Sequence, residues 1–167
     1  MQKQAVTPVF KEGIYCDFCR QEVLDAQKVI DIGSMSVVSP RRPVVEAAML
    51  IIPRRHVELV EDMAEEEVTD LFYAVRALKV VCEELYGVTA FNLFTNSGRA
   101  AGQQVPHVHF HFYGRSADES INPFSVLNNP DLYKNRPTVS EELLVKRVEE
   151  LRGVFQKTMS ETSETRY

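Results

Sequence analysis

No apolar run in this sequence approaches the roughly 20 consecutive positions that a membrane-spanning helix takes. Its first residues, Met1, Gln2, Lys3 and Gln4, lack the apolar stretch of a secretory signal. A cytoplasmic protein with no membrane partner is therefore expected. Excess basic charge is also missing. The 19 Lys and Arg are outnumbered by 24 Asp and Glu, for a formal net charge of −5, which argues against non-specific binding of nucleic acid. It leaves open an anionic ligand held by the backbone N–H groups of a local loop. Cysteine is scarce and odd in number, at 3 in 167 residues. Cys16 and Cys19 form a C-x-x-C pair, which in a reducing compartment points to metal or redox chemistry rather than a structural disulfide. Internal repeats are absent, and the length fits one domain with extensions.

What is present is a pattern of short strands around one long helix. Lys28–Ile32 and Met35–Val38 read as a hairpin across Gly33-Ser34. Pro40 and Pro43 break the pattern. Ala47–Ile52 is a continuous apolar run ended by Pro53, as a buried central strand would be. From about Met63 to Tyr86, apolar residues recur at helical spacing, with Cys82 on the apolar stripe and Gly87 as the stop. Asp62 and Glu65 have the spacing of a capping box. Thr89–Thr95 reads as another strand, Asn96–Gln104 as a small polar loop, and Val105–Phe112 as the strand after it. Residues 116–139 read as a long loop, and Ser140 as the cap of a last helix with Leu144, Val148, Leu151 and Phe155 on one face. This order predicts an α+β fold, an antiparallel sheet with helix on one face.

Three of the chain's 4 histidines, His107, His109 and His111, stand at alternate positions of one predicted strand. Alternate residues of a strand share a face, about 7 Å apart. Such a row can be structural, can hold a metal, or can act on phosphate. A neutral imidazole attacks phosphorus near pH 7, and the adjacent Gly-containing loop offers N–H donors for phosphoryl charge.

The segments Ile51-Ile52-Pro53-Arg54-Arg55-His56 and Ala101-Gly102-Gln103-Gln104-Val105-Pro106-His107-Val108-His109-Phe110-His111-Phe112 resemble the histidine-triad (HIT) family, and Cys16-Asp17-Phe18-Cys19 resembles the amino-terminal C-x-F-C of many bacterial members. The resemblance spans roughly Tyr15 to Arg115. It implies a HIT-like five-stranded antiparallel sheet with a long helix, commonly a homodimer, and a nucleotide or nucleotide conjugate as substrate. The expected organisation is an arm at 1–14, the HIT-like domain at 15–115, and a C-terminal extension at 116–167 with a helix at about 141–156 and a disordered tail. His109 would attack the α-phosphorus and carry a covalent nucleotidyl intermediate that water resolves. His111 would donate to a phosphate oxygen. Asn96, Gly102, Gln103, Gln104 and Val105 would hold the phosphate. Cys16, Cys19, His56 and His107 would bind a structural zinc, since two thiolates and two imidazoles make a closed tetrahedral site.

Two positions depart from the family pattern. Ala48 stands where many members have a further histidine of the active-site network, and the region 39–42, Ser-Pro-Arg-Arg, shows no evident acidic or amide residue for ribose. The intact triad favours hydrolysis of a phosphoramidate or a dinucleoside polyphosphate. The departures keep two alternatives in view: a nucleotide-binding regulatory protein with weak catalysis, and a nucleotidyltransferase.

Overall fold

The computed structural model describes residues 16–164. A 3-10 turn over Asp17–Cys19 leads into α1 (Gln21–Gln27), then β1 (Lys28–Ile32), β2 (Met35–Val38), β3 (Ala48–Pro53), α2 (Glu65–Tyr86), β4 (Ala90–Thr95) and β5 (Phe110–Arg115). Two short helices, α3 (Pro123–Leu127) and α4 (Pro130–Lys134), precede α5 (Glu141–Glu164). The five strands pair antiparallel throughout, in the order β1-β2-β3-β5-β4. The expected sheet and long helix are therefore present.

Alternation assigns the two faces of the sheet. Val37, Met49, Ile51, Phe110 and Phe112 enter one core with Leu71, Val75 and Leu78 of α2. Leu144, Val148, Leu151 and Phe155 of α5 belong to the same core. Arg152 donates to the carbonyls of Val29 and Lys28, and Arg147 to those of Glu46 and Ala48, so α5 is bound across β1 and the entry to β3. The helix of the expected C-terminal extension is thus present and packs as a layer of the shared core. It also continues to Glu164, past the stop expected near residue 156. The arm expected at 1–14 and the last three residues of the expected tail lie outside the described residues.

Other expectations are corrected. The Asp62–Glu65 capping box does not form: the helix begins after Ala64, whose N–H donates to Glu67 Oε2 at 2.8 Å, and Arg55 grips the same buried carboxylate. The loop expected over 116–139 contains α3 and α4, each begun by an Asn cap followed by Pro. The histidine strand starts only at Phe110. Before it, Pro106 has no N–H to give, and the N–H of Val108 is drawn away to Val57 O at 2.7 Å. At the β1–β2 turn, Gly33 has φ +57°, and the Asp70 carboxylate, which accepts from Ser34 N and Oγ at 2.8 Å, fills the space where a Cβ would stand. The sheet's remaining face carries Ala48, Leu50, Phe94, His111 and Tyr113 from three adjoining strands, with Leu50 and Phe94 both paired to His111.

Candidate active site and metal centre

A cavity of about 890 Å³ opens on that second face. His109 and His111 line it, as do Asn96, Gly102, Gln104 and Val105 from the loop. His107, two residues before His109, is fully buried and turns instead toward the C-x-x-C segment. The row of three histidines is thereby divided between two sites.

The first site joins Cys16, Cys19, His56 and His107, whose ligand atoms all lie within 4.8 Å of one another. His107 Nδ1 is 3.4 Å from Cys16 Sγ and 3.5 Å from Cys19 Sγ, and His56 Nδ1 is 3.3 Å from Cys19 Sγ. A tetrahedral ion with metal–sulfur bonds near 2.3 Å and metal–nitrogen bonds near 2.0 Å would set S and N about 3.5 Å apart. The donor set fits such an ion. The outer nitrogens agree with it: His107 Nε2 donates to Pro53 O at 2.9 Å, which fixes Nδ1 as the lone-pair nitrogen, and His56 Nε2 faces Glu58 Oε1 at 3.5 Å. Burial, opposed by the Pro53 carbonyl, pushes His107 down to about 4, so the imidazole is neutral as a ligand must be. Burial, reinforced by the neighbouring Cys16, raises the Cys19 thiol to about 12.

The second site is built on the first. His109 Nδ1 donates to the carbonyl of His107 at 2.8 Å, leaving Nε2 as the unprotonated nitrogen. Phe18, between the two cysteines in sequence, packs edge-on against both His107 and His109. Burial lowers the His109 pKa against the opposing pull of that carbonyl. His111 stacks on Phe94 with ring centroids 4.8 Å apart, and burial followed by the charges of His109 and Arg136 pushes it down to about 4. Both rings are neutral at pH 7, and each keeps one N–H and one lone pair.

The loop is braced from within. Gln103 accepts from Gly98 N at 2.6 Å and donates to Glu58 O at 2.8 Å and Val105 O at 3.1 Å. Its side chain is taken up by these loop hydrogen bonds, and it is not among the residues that line the cavity. Gly102, at φ +89°, makes the turn that presents Gln104 and Val105. Ala48 is buried opposite Tyr113 and leaves a methyl group at the cavity wall. The sequence reading missed Phe124, Tyr133 and Arg136, which the segment after β5 brings to the cavity. The repeated Asn-Pro at 122–123 and 129–130 signals those helices, but nothing local signals where they dock.

The HIT domain profile matches residues 21–118. The chain belongs to the HIT family. Among HIT relatives, a bis(5'-adenosyl)-triphosphatase of Dictyostelium discoideum is 31% identical over 121 residues, covering 72% of this chain and 80% of the relative. An asymmetrical bis(5'-nucleosyl)-tetraphosphatase of Schizosaccharomyces pombe is 40% identical over 82 residues, covering 48% of this chain and 45% of the relative, so that match spans under half of that protein. A Zn-bound histidine triad family protein from Mycobacterium smegmatis shares the fold, with TM-score 0.62 and 19% identity over 80% of this chain and 86% of that one. The five-stranded antiparallel arrangement is the HIT fold.

Proposed function

We infer that this HIT protein is a nucleotide hydrolase that attacks the α-phosphorus of a dinucleoside polyphosphate or nucleoside phosphoramidate through His109. The observation that carries the reading is the tautomer lock. With Nδ1–H held by the His107 carbonyl, Nε2 is left as the lone pair beside a cavity large enough for a nucleotide. Its bond to phosphorus forms as the bond to the leaving group breaks, and the leaving group departs with the electron pair, as a phosphate anion or, from a phosphoramidate, as an amine whose nitrogen takes a proton from solvent. Water then attacks the nucleotidyl-histidine, releasing the nucleoside monophosphate and restoring the imidazole. His111 donates its N–H to a non-bridging oxygen. Asn96, Gly102, Gln104 and Val105 border the phosphate, and Gln103 keeps their loop in shape. The names of the triphosphatase and tetraphosphatase relatives support this class of substrate.

The metal is read as zinc, held by Cys16, Cys19, His56 and His107, and its service is structural, tying the C-x-x-C segment to the carbonyl that orients His109. Thiolate ligands suit a reducing compartment such as the cytoplasm.

The pH profile tests the locked imidazole. Protonation of His109 consumes the attacking lone pair, so rate must fall as pH falls through its pKa. Since that pKa is depressed by burial, kcat/KM for a dinucleoside triphosphate should stay level from pH 8 down past the ordinary histidine value of about 6.5, and decline only below it. An acid limb centred at or above 6.5 would contradict the buried, neutral nucleophile.

The assembly is read as a homodimer. Among the described residues β4 is an edge strand of the sheet with an open pairing side, and Val68, Phe72 and Tyr73 are exposed on α2, Phe72 at 57%. Light scattering on the purified 19.0 kDa chain should give twice that mass, and Phe72→Glu should shift it toward the monomer. A wild-type monomer at micromolar concentration would overturn this assignment.

A further inference from the structure

The segment after β5 contributes a cation to the cavity that neither the triad nor the loop accounts for. Arg136 lies with its guanidinium carbon 3.7 Å from the centroid of the Tyr133 ring, and its Nε donates to Tyr133 O at 2.9 Å. The segment is pinned in turn: Arg42 donates to the carbonyls of Lys134 and Arg136, the latter at 3.0 Å, and Val139 N donates to Arg41 O at 2.8 Å. Arg136 is thus oriented by a ring face and a carbonyl. No carboxylate among the described residues forms an ion pair with it. Its charge reaches the chemistry, since it helps to depress His111 and opposes the effect of burial on Tyr113. A half-buried guanidinium fixed beside a phosphoryl-transfer histidine, with its charge uncompensated, is matched by an anion on the substrate.

We propose that Arg136 is a specificity-determining residue that grips the departing phosphate or polyphosphate, so that the site prefers anionic leaving groups over uncharged amines. The inference rests on the nucleotide-hydrolase reading and sharpens it. As the P–O bond of a polyphosphate breaks, negative charge grows on the leaving phosphate, and a preoriented guanidinium stabilises it where it develops. A neutral amine leaving from a phosphoramidate develops no such charge. The short helices α3 and α4 then have a purpose: with Arg42, they hold Arg136 at the cavity wall.

The test compares a dinucleoside triphosphate with a nucleoside phosphoramidate of the same nucleoside and an uncharged amine, using the full chain as wild type, Arg136→Ala and Arg136→Lys. The ratio of their kcat/KM values should fall about tenfold in Arg136→Ala, the scale of one charged hydrogen bond, and recover in part in Arg136→Lys. An unchanged ratio, whether both rates fall together or neither falls, overturns the proposal. Calorimetric titration with inorganic tripolyphosphate separates this from the broader reading. Wild type should bind it about tenfold more tightly than Arg136→Ala, with matched melting curves showing that both are folded. If wild type hydrolyses neither substrate, the hydrolase reading has failed and the titration alone decides Arg136. Equal tripolyphosphate affinity in the two proteins overturns the role of Arg136, whatever the hydrolysis shows.

Discussion

Replacing His109 with alanine is expected to cut the turnover of a dinucleoside triphosphate by about 10⁴-fold or more, a loss typical of removing a nucleophile that acts as part of a unit. The expectation follows from geometry. His109 is the one triad imidazole whose inner nitrogen is tied to a backbone carbonyl and whose ring also borders the cavity. His107 is committed to the cysteine pair, and among the described residues His111 has no comparable anchor, being held by stacking on Phe94. His111→Ala should therefore cost less, about 10²-fold, as the loss of one donor to developing charge does. Nucleotide affinity should change little in His109→Ala, because the loop, the aromatic wall and Arg136 remain. Rapid quenching of wild type with substrate labelled at the α-phosphate should trap label on protein through an acid-labile, base-stable P–N bond, and His109→Ala should trap none. Undiminished turnover by His109→Ala would remove it from the mechanism. Label that passes to an added alcohol or phosphate faster than to water would turn the reading to nucleotidyl transfer. Tight nucleotide binding by wild type without turnover would favour a regulatory role.

The sheet was legible because its strands are short apolar runs punctuated by Gly and Pro, a local signal that tertiary contacts reinforce. β3 is the clearest case: Ala48–Pro53 is buried on both faces and reads as an uninterrupted apolar run. The C-x-x-C pair hinted at metal or redox chemistry, but the full Cys and His cluster was legible only through the family pattern, because its residues come from three places in the chain, and spacing alone cannot bring His56 to Cys19. The row of histidines illustrates a limit of periodicity. Alternation places three rings on one face of an ideal strand, but the backbone is regular only from Phe110 onward, so His107 faces the thiols while His109 and His111 face the cavity. Gln103 shows the same limit at a single side chain, since an amide that can bind phosphate can equally bind its own loop. Arg136 was out of reach for another reason. Its neighbourhood is polar and Pro-rich, which describes a loop well, and its position follows from contacts with Arg41 and Arg42, about 95 residues earlier in the chain, through hydrogen bonds that leave no local pattern.

The paired substitution Cys16→Ser and Cys19→Ser carries the other large effect, on metal, stability and rate together. Purified wild type, never exposed to chelator, should carry close to one zinc per chain, and the double variant almost none. At a thousandfold excess of metal over its Kd, the bound ion stabilises the fold by about 4 kcal/mol, so its loss should lower Tm by about 10 °C in a chain of this size. The core of β-sheet, α2 and α5 does not depend on the cluster, so the variant should still fold. Turnover should fall as well, because releasing His107 frees the carbonyl that locks the His109 tautomer. Cys82→Ser is the control: that thiol is buried in the core, pushed up to about 12 chiefly by burial, and should leave the zinc content unchanged. Acidity supplies an independent check. Burial and the adjacent Cys16 hold Cys19 protonated without metal, so ion uptake must expel protons, and affinity must weaken as pH falls. A zinc titration in two buffers of different ionisation enthalpy should register that release. Wild type with well under one zinc per chain, or a double variant that keeps its metal, Tm and rate, would show that these four residues are not the ligands and that His109 is held by packing alone.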